Sequence, residues 1–206
     1  MLQPESEPPI LTNRIEAFSD GVIAIVITLL VLELRVPHLE SADGAMLSMA
    51  VVALAPKFLS FVMSFVFVAV FWVAHHQLYH PLERSTPALL WLNNLFLLCI
   101  TFIPFPTAML GEYPDNPFAI IFFGVTMFVA SLSFSLMRWY ATLKASLTRQ
   151  SIDLHIRRWA MRRSLIGPSL YLVGIAMAAF SRTLAVGIYL VIPLLYLIPI
   201  RLDKQE

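Results

Sequence analysis

The feature that most limits this chain is a succession of six charge-poor apolar runs, at about 14–36, 54–79, 87–110, 118–143, 164–180 and 183–200. A bilayer core about 30 Å thick is crossed by about 20 apolar residues in helix. Four runs reach that length; the last two are shorter, are split only by Ser181-Arg182, and read as a tight helical hairpin. Composition agrees, with 59% of residues hydrophobic and 13% charged, a balance that no water-soluble domain of this size needs. The expected fold class is all-α: a polytopic membrane protein with six transmembrane helices. The first run reaches spanning length behind a polar, acidic start (Glu5, Glu7), so it reads as a retained helix rather than a cleaved leader.

A net charge of +1 conceals an asymmetry. Lys144, Arg149, Arg157, Arg158, Arg162 and Arg163 all fall between the fourth and fifth runs, which the positive-inside rule makes cytoplasmic. Counting outward places both termini on the cytoplasmic side, with Arg14, Arg84, Arg201 and Lys204 there as well, and the acidic segment from Gly111 to Pro117 outside. Arg35, Lys57 and Arg182 oppose this topology as scattered single charges.

No linker separates domains and no internal repeat is visible. The organisation expected is a flexible cytoplasmic tail over 1–13, one six-helix membrane domain over 14–201 and a short tail over 202–206. The prolines inside the runs (Pro56, Pro104, Pro106, Pro168, Pro193, Pro199), leaving aside Pro87 that opens the third, are each expected to free a carbonyl and bend the backbone. Cys99 is the sole cysteine, which excludes an intrachain disulfide and a thiolate metal cluster. The bases around Trp159 are explained by topology and an anionic inner leaflet, so no nucleic-acid partner is expected.

An ionisable residue within a membrane helix is expensive and invites a functional question. Asp20 lies nearly two turns inside the first run and needs a partner. By the topology above, Arg14, Ser19 and Asp20 share a depth with His75, His76, Asn93 and Asn94. A polar network among these helices is expected, because unpaired polar groups in hydrocarbon are costly. Adjacent residues point about 100° apart on a helix, so His75 and His76 do not both enter one network or bind one metal. No metal and no cofactor are expected, and the lack of a spaced nucleophile and base argues against an enzyme.

Farther along the first run, Ile25, Leu29 and Leu32 recur at i, i+4 and i+7, with Thr28 beside them and Phe18 and Gly21 before them on the same side. In a protein that is apolar all round, such a stripe is most often lipid-facing or core, and spacing alone does not make it a pore.

The string Arg14-Ile-Glu-Ala-Phe18-Ser19-Asp20 resembles the Arg-x-x-x-Phe-Ser-Asp motif of the transmembrane protein 175 family of potassium channels. The resemblance continues from Gly21 to Pro37, through Phe71-Trp-Val-Ala-His-His76, and through Asn93-Asn94 into Ile103-Pro-Phe-Pro-Thr107. It covers most of the first three helices; the last three carry no recognised motif. It implies a prokaryotic, single-repeat subunit that assembles as a homotetramer in the lipid bilayer of a cell membrane, with potassium as the permeant ion. It implies a first helix that lines a central pore, with hydrophobic rings carried by offset to Ile25, Leu29 and Leu32, and Thr28 as the pore-lining hydroxyl. The motif itself is implied to be structural, with Arg14, Phe18, Ser19 and Asp20 tied to one histidine of His75-His76 and one asparagine of Asn93-Asn94. No Thr-Val-Gly-Tyr-Gly filter occurs, so a ring of loop carbonyls does not supply selectivity. A secondary transporter is the alternative function, disfavoured by charges that stay near the helix ends rather than the midplane.

Overall fold

The computed structural model describes residues 12–39, 43–149 and 152–197. Of the expected tails over 1–13 and 202–206, residues 1–11 and 202–206 lie outside the described residues, as do Pro199, Arg201 and Lys204, while Thr12 and Asn13 already belong to the first helix. Among those described, the chain is helix, turn and loop, with an isolated bridge between Leu82 and Thr148.

Helix α1 (Thr12–Leu29) buries Ile15, Ser19, Ile23 and Val26, and tightens into a 3₁₀ turn (Leu30–Glu33) that buries Leu30. These intervals of three and four residues trace one helical face. After α2 (Gly44–Ala53), which buries nothing, α3 (Ala55–Tyr79) crosses back. Helix α4 (Pro87–Phe102) is capped by the Thr86 hydroxyl, which accepts from Leu89 N–H at 3.2 Å. Helix α5 (Pro104–Glu112) continues it after a break at Ile103. Helix α6 (Pro117–Trp139) is capped by Asn116 and ends in a π turn (Tyr140–Lys144). Then come α7 (Leu154–Ser164), α8 (Ile166–Ala178) and α9 (Arg182–Leu197).

The apolar runs correspond to α1, α3, α4 with α5, α6, α8 and α9, the last two forming a closely packed hairpin. The protein is thus all-α, with four long apolar spans at Thr12–Glu33, Ala55–Tyr79, Pro87–Glu112 and Pro117–Lys144. Helices α2 and α7 were not anticipated. The prolines also behave differently from expectation: Pro56 and Pro104 open α3 and α5, where the missing N–H would have no intrahelical partner anyway, and Pro168 falls in the first turn of α8. Pro193 is inside its helix.

Helix α6 sits at the centre, with Ile120, Phe123, Met127, Ala130 and Met137 fully buried. Two glycines let its neighbours close in. A methyl group added at Gly124 on α6 or Gly174 on α8 would overlap the ring or hydroxyl of Tyr189 from α9. We expect Gly174→Ala to cost about 1–3 kcal/mol, the usual penalty of overpacking, and to lower the thermal midpoint in detergent. An unchanged midpoint would mean that Tyr189 has room to move.

The two ends of the bundle differ. The start of α1, the end of α3, the start of α4 and the end of α6 share one end, where the loops are braced by Glu83 N–H to Leu147 O (3.1 Å) and Arg149 N–H to Pro81 O (3.0 Å). The ion pairs between described residues, Lys57 with Glu112 and Arg182 with Asp115, lie at the other end.

Candidate functional site

Helix α1 has two faces with different chemistry, and both matter. Its buried face carries Ser19, whose hydroxyl donates to Ile15 O at 2.8 Å and accepts from Asn93 Nδ2 of α4 at 3.0 Å. The Asn93 Oδ1 in turn accepts from His75 Nε2–H of α3 at 2.8 Å, which fixes the proton of that imidazole on Nε2. His75 stacks on Tyr79 (4.5 Å between centroids) and on Phe96 (5.9 Å). Ser19, Asn93 and His75 are all essentially without solvent exposure, so one continuous chain of hydrogen bonds ties α1, α4 and α3 in a dry interior.

Asp20 is placed differently from the sequence expectation. It is exposed, and its Oδ1 accepts from the indole Nε1–H of Trp72 at 2.9 Å; no described arginine or histidine forms an ion pair with it. Trp72 stacks in turn on His76 at 6.4 Å. Arg14, Phe18, His76 and Asn94 are exposed and take no part in the Ser19–Asn93–His75 chain. Trp72 escaped the sequence reading although it lies inside a quoted stretch, one turn before His76. The signal was there: an indole N–H at the depth of a lone carboxylate.

A second buried tie was also missed. Ser64 of α3 and Thr107 of α5 share a hydrogen bond at 2.6 Å, and Thr107 donates to Ile103 O at 2.8 Å, bridging the break between α4 and α5. Arg138, inside the fourth apolar run, was not singled out either. Its guanidinium donates to Ala74 O at 3.3 Å and lies 5.1 Å from the Phe134 ring, while its buried Nε has no partner.

The opposite face of α1 is bare. Ile25 is 60% exposed, Leu29 43% and Leu32 66%, against 1% for Ile23 and Val26. Phe18, Gly21 and Thr28 lie bare on that side too, Thr28 donating only to Ile25 O at 2.8 Å. The stripe is not core within one subunit; lipid, a pore or another copy of the chain are the surroundings open to it. At the end where α1 finishes, Glu33, Arg35, Lys57, Phe105 and Glu112 line an open cavity of about 520 Å³. Among the described residues, no three His, Cys, Asp or Glu side chains gather closely enough to hold a metal ion.

Comparison with known proteins bears on this arrangement. The model of a family described as the endosomal/lysosomal potassium channel TMEM175 matches residues 14–104. A potassium channel of Chamaesiphon minutus is 37% identical over 189 residues, covering 90% of this chain and 93% of its own. One of Streptomyces collinus is 33% identical, covering 90% and 91%. The crystal structure of a lysosomal potassium-selective channel TMEM175 homologue from Chamaesiphon minutus superimposes with a TM-score of 0.80 at 34% identity, over 90% of this chain and 96% of that one.

Proposed function

The chain belongs to the TMEM175 family of potassium channels, and from that premise we propose that four copies surround one axis and turn the bare face of α1 toward it as a potassium-permeable pore. The protein is a multi-pass membrane protein of an ion-channel family, not an enzyme. The observation that carries the pore reading is the division of α1: one face is sealed against α3 and α4, and the other is apolar, bare and continuous from Phe18 to Leu32. Ile25, Leu29 and Leu32 then form stacked apolar rings, with the Thr28 hydroxyls among them. Such rings gate by dewetting, because an ion cannot keep its hydration shell in a dry apolar constriction. Slight widening or rotation of four first helices would wet the path.

The Ser19–Asn93–His75 chain and the Asp20–Trp72 bond serve this function mechanically, by fixing the rotation of α1 against α3 and α4. In the cell membrane the base-rich end, with both termini, faces the cytoplasm. Six helices cross the bilayer, α8 and α9 completing the set, and the tails flank one membrane domain.

Reconstituting the protein in liposomes and measuring reversal potentials under potassium-to-sodium gradients tests the proposal. A potassium-favouring potential is expected, together with a native mass of four chains in mild detergent. A stable monomer or dimer, or no ion flux, would overturn it.

A further inference from the structure

Helix α7 carries four arginines in seven residues, and they are used in two ways. Arg157 is folded back onto the chain, its Nε donating to Ile152 O and an Nη to Arg149 O, both at 3.1 Å. Arg163 donates to Leu195 O at 3.2 Å and lies over the rings of Trp159 and Tyr196. Arg158 and Arg162 are exposed, and no described carboxylate pairs with either. Asp153, the acid next to the helix, is engaged in capping it, accepting from His155 N–H at 3.0 Å.

Arg158 and Arg162 are four residues apart, so they share a helix face with Cβ atoms about 5–6 Å apart. Exposed His155 lies on that face, one turn before Arg158, and Trp159 borders it. Depth follows from one hydrogen bond: Ser135 Oγ on α6 donates to Ser164 O at the end of α7 at 2.8 Å. Ser135 is nine residues short of Lys144, where the span ends, which is about 13 Å along a helix. The span Pro117–Lys144 has 28 residues, about 42 Å of helix, close to the thickness of a bilayer with its headgroup regions, so its last turn lies among the headgroups. Counted back from Ser164 at about 1.5 Å per residue, Arg158 reaches that level and Arg162 lies about 6 Å deeper, its long side chain extending back toward it.

We infer that the Arg158–Arg162 face of α7 holds the phosphate of an anionic phospholipid, with Trp159 at the boundary between headgroup and acyl chain. Two guanidinium forks one turn apart present planar donors that match phosphate oxygens, and basic segments at this level attract anionic lipid. Tryptophan favours the same interfacial depth. The inference goes beyond the channel reading and requires only that the chain span a bilayer.

The test titrates the purified full-length protein with phosphatidylglycerol and, separately, phosphatidylcholine, counting bound lipids by native mass spectrometry. Wild type is expected to prefer phosphatidylglycerol. Arg158→Gln/Arg162→Gln should weaken that binding by about tenfold or more, whereas Arg84→Gln, an exposed base at the same end, should keep it. Undiminished binding by the double variant, or an equal loss with Arg84→Gln, would overturn the site. Full displacement of the lipid by inorganic phosphate would overturn the lipid assignment in favour of a free anion. Should the double variant not be recovered, Arg162→Gln alone is expected to show a several-fold loss, and its absence would count equally against the inference.

Discussion

Replacing Leu29 with Asn is expected to raise single-channel conductance by about tenfold and to weaken the preference for potassium over sodium. A tenfold change corresponds to removing about 1.4 kcal/mol from a barrier, which is modest beside the cost of stripping water from an ion. Four amide groups in one ring would supply hydrogen-bonding partners where the wall has none, so the narrow path hydrates more readily. The change is tolerated structurally, because Leu29 is 43% exposed within its own subunit. Ile23→Asn provides the contrast: Ile23 is 1% exposed against α3 and α4, so a stranded amide there should cost about 1–3 kcal/mol and lower yield without changing the current through surviving channels. If the bare face of α1 meets lipid instead, the Leu29 variant should assemble poorly and conduct like wild type. Recordings of both variants at matched expression separate the two cases.

Asn93→Ala is expected to be the most destabilising polar truncation in the bundle. It removes the acceptor of His75 and the donor to Ser19 in one step, and each partner left unsatisfied in a dry interior costs about 1–3 kcal/mol. The expected outcome is a sharp fall in yield and in thermal midpoint in detergent. Asn94→Ala, next in sequence but exposed, should leave both near wild type. Asp20→Ala should fall between them, since Trp72 loses its partner at a position where water or lipid headgroups can replace it. If Asn93→Ala melts like wild type, the hydrogen-bonded chain does not hold the helices together.

Much of this arrangement was legible in the sequence, and the reason for the remainder is geometric. The apolar runs located α1, α3, α4 with α5, α6 and the α8–α9 hairpin because each is long and uncharged. Two partners were narrowed to neighbouring pairs, His75 or His76 and Asn93 or Asn94, while Ser19 and the adjacent Asp20 were both expected in the network. In every pair one member is buried and the other exposed, as a rotation of about 100° per residue demands. Choosing between them needs a contrast of polar and apolar faces, and these helices are apolar nearly all round. Helix α2 was hidden for a related reason: it is apolar nearly all round and buries nothing, so no face of it stands out before Pro56-Lys57 at the start of α3. Helix α7 was hidden by its arginines, which read as loop until Ser164 is seen docked on Ser135. Arg138 shows the limit of counting charges: a single base in a long apolar run is easily passed over, and only its neighbours Ala74 and Phe134 reveal that it is held.

The change of winding at Leu30 gives the three apolar positions of the first helix unequal independence. In a 3₁₀ segment, residues three apart eclipse and each residue rises about 2.0 Å; continued α-helix would offset them by about 60° and rise about 1.5 Å per residue. Leu32 lies on the tight turn (Leu30–Glu33), whereas Ile25 and Leu29 lie on the α-helical part. Unwinding that single turn into α-helix would sweep Leu32 sideways and draw it about 1.5 Å toward Leu29, given the difference in rise over three residues. Ile25 and Leu29 would not move, being locked through Ile23 and Val26 to the rest of the bundle. The outermost of the three positions thus depends on a turn that the other two do not share, and that turn is held to the bundle by Leu30, which is fully buried.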